Sequence, residues 1–186
     1  MPTYIALLRA LNVGGRYYTM AALRDHLAES GLTEVETYIQ TGNVRFRSRM
    51  RSAARVEGHV EEVLARHCGF EVPAIVLTPA ELGSIHRDAQ RLRPPATAGG
   101  TPRRYVTFFK PGEAPTGEVA QQITDWDAPG ETAMVAGRAV HVCITGSMTD
   151  ARFFGAFKKT LAPGTNRDLK VVTTLAERWG APPDGR

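Results

Sequence analysis

The sequence is 186 residues long, with 42% hydrophobic and 23% charged residues, a composition that is ordinary for a globular protein and argues against a disordered chain. The net charge of +4 is spread evenly along the chain, so no basic tail or domain demands a nucleic-acid partner. No apolar stretch approaches the roughly 18 residues that a membrane-spanning helix needs, and two cysteines are too few for a disulfide scaffold.

Hydrophobic patterns along the first 78 residues predict the order β-α-β-β-α-β. Two helices are expected, one between Thr19 and Gly31 and one over residues 52–69, because Leu or Val recurs there at helical spacing. Apolar and alternating runs predict four strands, at TYIALLR (3–9), EVETYI (34–39), NVRFRS (43–48) and EVPAIVLT (71–78). This order predicts a ferredoxin-like unit, in which two helices cover one face of a four-stranded antiparallel sheet.

The sequence after this unit predicts a helix and then a break. Thr78 and Glu81 form a capping box, which favours a helix start. Residues 91–102, RLRPPATAGGTP, are rich in proline and glycine and predict a linker or a long surface loop. We therefore expect an α/β protein of the α+β type. Its expected parts are a ferredoxin-like subdomain with a connecting helix over 1–90, the linker over 91–102, and a smaller α/β subdomain over 103–186 packed against the first.

The second half loosely repeats the order β-α-β-β-α. A strand is expected at RRYVTFFK (103–110), a helix at TGEVAQQITDW (116–126) and a hairpin at ETAMVAGRAVHVCIT (131–145). Two helices are expected to finish the chain, at DARFFGAFKKTL (150–161) and RDLKVVTTLAERWG (167–180). This assignment places Arg167 and Asp168 in the first turn of the last helix.

Three segments resemble one known family. LLRALNVGG (7–15), MAALRDHLAESGLTEVETYIQTGNVRF (20–46) and APGTNRDLKVVTTLAE (162–177) are similar to domain of unknown function 1697. Members of that family typically read LLRGINVGG and TYIQSGNVVF, and close on TTRNWNTVxKLAEL. The closing segment departs from the pattern, because Asp168 stands where the family usually has Asn and Leu169 where it often has Trp. The resemblance implies a small, bacterial, intracellular α/β protein with a ferredoxin-like first part and no assigned activity.

The glycine loop after the first strand is the leading candidate site. In RALNVGGR, Asn12, Gly14 and Gly15 lie between Arg9 and Arg16. Backbone amides beside glycines can form an anion-binding concavity, and the arginines would add charge and planar donors. The alternative is a turn that only needs positive φ at one of the glycines. The spacing matches neither the phosphate-binding P-loop nor the dinucleotide-binding fingerprint.

Two other segments carry candidate ligand-binding residues. In QTGN (40–43), Thr41 and Asn43 would present polar groups beside the glycine loop, although the two segments need not be neighbours in a ferredoxin-like unit. The alternative for this segment is pure turn chemistry. Arg167 is electrostatically disfavoured in the first turn of a helix, so it would either complete the anion site or form a structural salt bridge.

A run of arginines suggests a different kind of partner. Arg45, Arg47, Arg49 and Arg51 alternate, with Arg55 beyond them, so on a strand the first four would share one face. This Arg45–Arg55 face is either solvated or a contact surface for a nucleic-acid backbone. Because the strand offers only Phe46 for base stacking, an RNA-recognition module is disfavoured.

No catalytic residue is assigned from the sequence. The five histidines form no metal-binding motif, and no nucleophile motif is present, so neither a metal nor a cofactor is predicted. The N-terminus lacks the features of a secretory signal, which predicts a cytoplasmic protein without a membrane partner, and no pattern indicates its oligomeric state. The expected function is a binding module for a small phosphate-bearing anion. The alternatives are nucleic-acid binding and an enzyme of unassigned activity.

Overall fold

The computed structural model describes residues 1–15, 17–96 and 101–181. These residues form two compact units, Met1–Leu82 together with the residues from Arg178 onward, and Gly83–Glu177. The predicted linker at 91–102 is described only in part, since residues 97–100 lie outside the described ranges. Two four-stranded antiparallel sheets and the helices around them confirm the mixed α/β class.

The first unit has the predicted β-α-β-β-α-β order. Its strands lie in the order β2-β3-β1-β4, and every neighbouring pair is antiparallel. This arrangement is that of a ferredoxin-like sheet, so the prediction is confirmed. The elements are β1 (Thr3–Leu8), α1 (Met20–Glu29), β2 (Thr33–Tyr38), β3 (Asn43–Arg47), α2 (Ala53–Cys68) and β4 (Ala74–Leu77).

Local sequence signals explain where the helices begin and end. The Thr19 hydroxyl accepts a hydrogen bond from a backbone amide in the first turn of α1, at 3.1 Å. Gly69 ends α2 in the left-handed conformation, with φ of 71°. After β4, helix α3 (Pro79–Arg91) begins with the predicted capping box, in which the amides of Thr78 and Glu81 each donate to the side chain of the other.

An apolar core lies between the first sheet and helices α1 and α2. Alternate residues of β1 and β3 point into it because successive side chains on a strand face opposite sides. Each buried Leu or Val side chain contributes about 1.5–3 kcal/mol through removal from water. The main contributors are Tyr4, Ala6, Leu8, Val44, Phe46, Leu23, Leu27, Val56, Val60 and Leu64. Among the described residues, no helix is long and apolar enough to cross a membrane.

Two glutamates of α2 protect the edge strand β4. Glu57 accepts a hydrogen bond from the Val76 amide at 3.0 Å, and Glu61 accepts one from the Ala74 amide at 2.8 Å. β4 is the last strand of its sheet, so these amides would otherwise present an open edge to another chain. The spacing of four residues places both carboxylates on one face of the helix, beside the strand that they cover.

The second unit repeats the topology of the first. Its strands lie in the order β6-β7-β5-β8, again with antiparallel neighbours. This order corresponds position by position to β2-β3-β1-β4, so the loose echo in the sequence is a second ferredoxin-like unit. Its elements are β5 (Arg103–Phe108), α4 (Gly117–Thr124), β6 (Glu131–Ala136), β7 (Ala139–Ile144), α5 (Arg152–Ala156), α6 (Lys158–Leu161) and β8 (Thr165–Asp168), followed by α7 (Leu169–Trp179).

The prediction for the end of the chain was wrong in one respect. Residues Thr165–Asp168, of which Arg167 and Asp168 were expected in the first turn of the last helix, form β8 and pair with β5, with Arg167 opposite Val106. The free edge of β5 supplies hydrogen-bonding partners from about 60 residues earlier, which no local pattern reveals. The helix begins at Leu169, and the Asp168 carboxylate accepts a hydrogen bond from the Lys170 amide at 2.8 Å, which caps the helix.

Two further elements are shorter than predicted. The expected helix over 150–161 is divided into α5 and α6 at Phe157, whose φ is −103°. Strand β3 ends at Arg47, so Arg49 and Arg51 lie outside the strand and do not extend its arginine face. The hairpin predicted at 131–145 is confirmed, with Ala136 paired to Ala139 around a two-residue turn.

Candidate functional site

The segment between β1 and α1 contains backbone conformations that most residues avoid. Ala10, Gly14 and Gly15 have φ values of 52°, 67° and 84°. Glycine adopts this left-handed region freely, whereas it costs other residues about 1–2 kcal/mol. Ile39, on the adjoining β2–β3 hairpin, is not a glycine and also has a left-handed backbone conformation, with φ of 50°. Tertiary contacts must therefore hold both segments in place.

Asn12 supplies the contacts that close this loop. Its side-chain oxygen accepts a hydrogen bond from the Tyr18 amide at 2.7 Å. Its side-chain nitrogen donates to the carbonyl of Tyr18 at 3.2 Å and to that of Gln40 at 2.9 Å. Both donor hydrogens are used in this way, so Asn12 ties the two ends of the loop together and fastens them to the hairpin.

The β2–β3 hairpin lies directly beside the loop. β3 runs antiparallel to β1 with Asn43 opposite Leu7, which brings the start of β3 to the end of β1. The Leu8 amide donates to the Gly42 carbonyl at 2.7 Å. The structure thus brings together the two segments that sequence reasoning could not place next to each other.

Thr41 and Asn43 shape the turn of this hairpin. Asn43 is fully buried and donates to the Tyr38 carbonyl at 3.1 Å and to the Thr41 hydroxyl at 2.9 Å. Gly42 has φ of 76°, and a Cβ atom there would lie 2.7 Å from the Cβ atom of Leu8. Both facts require glycine at this position. This turn sets the position of the Gln40 carbonyl, which accepts the hydrogen bond from Asn12.

Gly14 and Gly15 form an open tip on the loop. Within the part of the chain that the structure describes, neither amide donates a hydrogen bond, and a Cβ atom on either residue would meet no atom within 4 Å. Val13 and Tyr17, close to this tip in the sequence, and Ile39, on the hairpin that Asn12 binds, are exposed at 64%, 73% and 42%. Two backbone donors therefore stand beside apolar side chains, an arrangement that can receive an anionic group and an adjoining apolar moiety.

The two arginines of the loop flank this tip in the sequence. Arg9 directly follows β1 and is partly buried, and its amide donates to the Pro73 carbonyl at 2.9 Å. Arg16 lies outside the described residues. The structure therefore describes Arg9 at the base of the loop, and the role of Arg16 stays a prediction.

Arg167 belongs to the second unit. It is buried on β8 and donates to the Thr165 hydroxyl and to the Asn166 carbonyl, both at 2.8 Å. Burial lowers the pKa of Arg167 to about 10, so the guanidinium stays charged at neutral pH. The disfavoured position in a helical first turn, which singled out this residue, does not exist, because Arg167 lies on a strand.

A cluster of aromatic rings joins the end of the loop to helix α1. The Tyr18 hydroxyl is hydrogen-bonded to Nδ1 of His26, and the His26 ring stacks on that of His67 with centroids 3.7 Å apart. Burial, and secondarily Cys68, raises the pKa of Tyr18 to about 12, so its hydroxyl keeps its proton at neutral pH. Sequence reasoning missed this cluster because its members come from three separate segments.

The arginine face of β3 is largely neutralised. Arg45 pairs with Glu36 at 2.9 Å and with Glu34 at 3.5 Å, and Arg47 pairs with Glu34 at 2.8 Å. The hydrogen bond from Arg47 lowers the pKa of Glu34, which keeps this carboxylate charged. β2 thus supplies the counter-charges of β3, an arrangement that is typical of cross-strand pairing on a solvated sheet face.

The geometry defines a small protein built from two ferredoxin-like units, with a preformed glycine loop at the end of its first strand. The chain belongs to the family described as Protein of unknown function (DUF1697), whose model matches residues 1–141. The resemblance noted from the sequence is therefore confirmed. Among the described residues, no group of three or more His, Cys, Asp or Glu side chains could hold a metal ion.

A solved structure supports the same fold. The conserved bacterial protein SP0830 from Streptococcus pneumoniae is similar over 96% of this chain and 98% of its own, with a TM-score of 0.72 and 22% sequence identity. At this identity the likeness shows the fold alone. No curated protein matches the chain.

Proposed function

We propose that this protein binds a small anionic ligand, such as a phosphate-bearing metabolite, at the loop between β1 and α1. The observation that carries the proposal is the exposed pair Gly14 and Gly15, which have positive φ and whose amides donate no hydrogen bond within the described part of the chain. Backbone amides that the fold leaves unpaired at a glycine-rich turn can bind an anion without any side chain.

Preorganisation supports this assignment. The side chain of Asn12 forms hydrogen bonds to both the loop and the hairpin. Ala10 and Ile39 are held at positive φ values, which are unfavourable for residues other than glycine. A loop that only reversed the chain direction would not need this degree of restraint. Because the restraint precedes binding, less conformational entropy is lost when a ligand arrives.

Charge and shape support an organic phosphate over a bare ion. Arg9 and Arg16 border the glycines in the sequence, and a guanidinium group offers paired donors to phosphate oxygens. The exposed side chains of Val13, Tyr17 and Ile39 offer an apolar surface to the rest of such a ligand. A nucleotide has both parts.

Isothermal titration calorimetry against a panel of nucleotides and phosphosugars tests the proposal. Arg16→Gln should weaken the binding of the best ligand by about fivefold or more, because it removes one cation next to the phosphate. Arg49→Gln is the matched control: it removes the same charge from the same unit, at an exposed position outside β3. Equal affinities for the wild type and both variants would reject the site, and no binding across the panel would reject the function.

A further inference from the structure

We infer that the second unit carries a separate binding site for a phosphorylated small molecule, in a basic cleft between the start of β5 and the start of α7. The cleft has a volume of about 460 Å³, within the usual range for small-molecule sites. Its lining consists of Thr101, Pro102, Arg103, Arg104, Asp168, Leu169, Lys170 and Thr173. This site is independent of the loop between β1 and α1.

The charges in the cleft are unbalanced. Arg103, Arg104 and Lys170 line it, and within the described part of the chain none of the three has a carboxylate within salt-bridge distance. The arginines of β3 show the contrast, because each of those is paired with a glutamate of β2. The lining thus carries three cationic side chains and the one carboxylate of Asp168, an excess of positive charge that attracts an anion.

Arg103 and Arg104 are consecutive on β5, so their side chains leave opposite faces of the strand, and each contacts neutral groups. Arg104 donates from one guanidinium nitrogen to the carbonyls of Ala89 and Gln90, at 3.1 and 3.4 Å. Arg103 lies over the ring of Tyr105, with 5.6 Å from the guanidinium carbon to the ring centroid. Neutral partners fix the side chains without cancelling their charge, and a guanidinium held in this way loses little entropy on binding phosphate.

The single carboxylate in the cleft narrows the class of ligand. Oδ1 of Asp168 caps α7 by accepting a hydrogen bond from the Lys170 amide at 2.8 Å. That amide is therefore occupied, and the cations, not the helix terminus, supply the attraction. The remaining oxygen of Asp168 can accept a hydrogen bond from a ligand hydroxyl. A phosphate group on a hydroxylated carbon skeleton, as in a sugar phosphate, matches this combination better than inorganic phosphate does.

The test is a titration of the full chain with ribose 5-phosphate and, separately, with inorganic phosphate, followed by amide chemical shifts in heteronuclear NMR spectra. We expect saturable shifts at Arg104, Leu169 and Lys170 with ribose 5-phosphate. Lys170→Gln should weaken this binding by about fivefold or more. Lys159→Gln, an exposed charge on α6 outside the cleft, should leave it within twofold. Lys159 and Lys170 are both exposed, so neither substitution should disturb the fold. Unchanged resonances away from the substituted residue verify that each variant is folded.

Asp168→Asn provides the second arm. Asn keeps an acceptor for the Lys170 amide but removes the negative charge, so it should strengthen inorganic phosphate binding more than ribose 5-phosphate binding. Absence of shifts at the cleft residues, or equal affinities of Lys170→Gln and wild type, overturns the inference. Arg16→Gln should leave these shifts unchanged. The proposals for the cleft and for the loop between β1 and α1 can therefore be rejected independently, because they are tested on different residues.

Discussion

The side chain of Asn12 binds both backbone groups of Tyr18. Its oxygen accepts from the Tyr18 amide and its nitrogen donates to the Tyr18 carbonyl, so five intervening residues are closed into a loop by one amide group. The same nitrogen reaches the Gln40 carbonyl of the neighbouring hairpin. The conformation of Gly14 and Gly15 thus depends on a residue that precedes them by two and three positions.

We predict that Asn12→Ala loosens the loop. Three hydrogen bonds are lost, each contributing about 1 kcal/mol, so the free energy of unfolding should fall by about 2–3 kcal/mol in urea titrations. Hydrogen exchange of the Tyr18 amide should accelerate in this variant. Asn12→Asp retains the acceptor and should preserve protection of that amide while losing the bond to Gln40. Unchanged exchange in Asn12→Ala would mean that the loop is held by other contacts.

Gly42 and Gly14 separate the effect of packing from that of backbone strain. Both have positive φ, but an added Cβ would clash with Leu8 at Gly42 and meet nothing at Gly14. Gly14→Ala should therefore cost about 1–2 kcal/mol from strain alone. Gly42→Ala should cost at least about 1 kcal/mol more, because the hairpin must move away from β1. Urea unfolding of the two variants measures the difference, and equal losses would show that no such contact exists.

The burial of His141 predicts that the stability of the protein falls in acid. It is buried on β7, and neither ring nitrogen has a hydrogen-bond partner among the described residues. Burial lowers its pKa from 6.5 to about 4, against a smaller opposing effect of Asp88. Between these two pH values the unfolded chain binds a proton that the folded chain does not. The free energy of unfolding should therefore fall as the pH drops from 6.5 toward 4, by about 3 kcal/mol in total.

His141→Leu removes this dependence. At neutral pH the variant should be as stable as wild type or more so, because two unsatisfied buried nitrogen atoms are replaced by an apolar side chain. Thermal unfolding between pH 4 and 8 checks both statements. His59→Gln serves as the control, since it keeps His141 and hence the loss at low pH. If the stability of His141→Leu depended on pH as steeply as that of the wild type, the acid sensitivity would arise from another residue.

The ion pairs of β3 bear on nucleic-acid binding, which stays an alternative. Arg45 and Arg47 are paired with Glu34 and Glu36, so we expect weak binding or none to a mixed-sequence oligonucleotide. Glu34→Gln releases Arg47 and should increase any such binding, with an affinity that falls steeply between about 50 and 200 mM salt. Fluorescence anisotropy measures both. Tight, salt-dependent binding by the wild-type chain would contradict the expectation that ion pairing neutralises this face.

The elements that the sequence predicted correctly are those with local signals. Thr19, Gly69 and the Thr78–Glu81 box each act within one helical turn of their own residues, so helix ends could be inferred from nearest neighbours. The first four strands were equally visible, β1 and β4 as continuous apolar runs and β2 and β3 through their alternation. The glycine loop was found for the same reason, since paired glycines are a local signal.

The features that were missed depend on residues far apart in the chain. Arg167 and Asp168 of β8 were assigned to the first turn of the last helix, and only pairing with β5 makes this segment a strand. The bond from Asn12 to Gln40 and the stacking of His26 on His67 join separate elements. The basic cleft likewise unites the starts of β5 and α7, and its two halves are about 65 residues apart in the sequence.

The most direct test of anion binding at the loop is a phosphate titration of the isotopically labelled chain that follows the amide resonances of Gly14 and Gly15. If their amides form the site, both resonances should shift saturably and in parallel, and Asn12→Ala should abolish these shifts while resonances of β1 stay in place. Resonances of Gly14 and Gly15 that stay fixed up to saturating phosphate and nucleotide would show that the loop is a turn and nothing more.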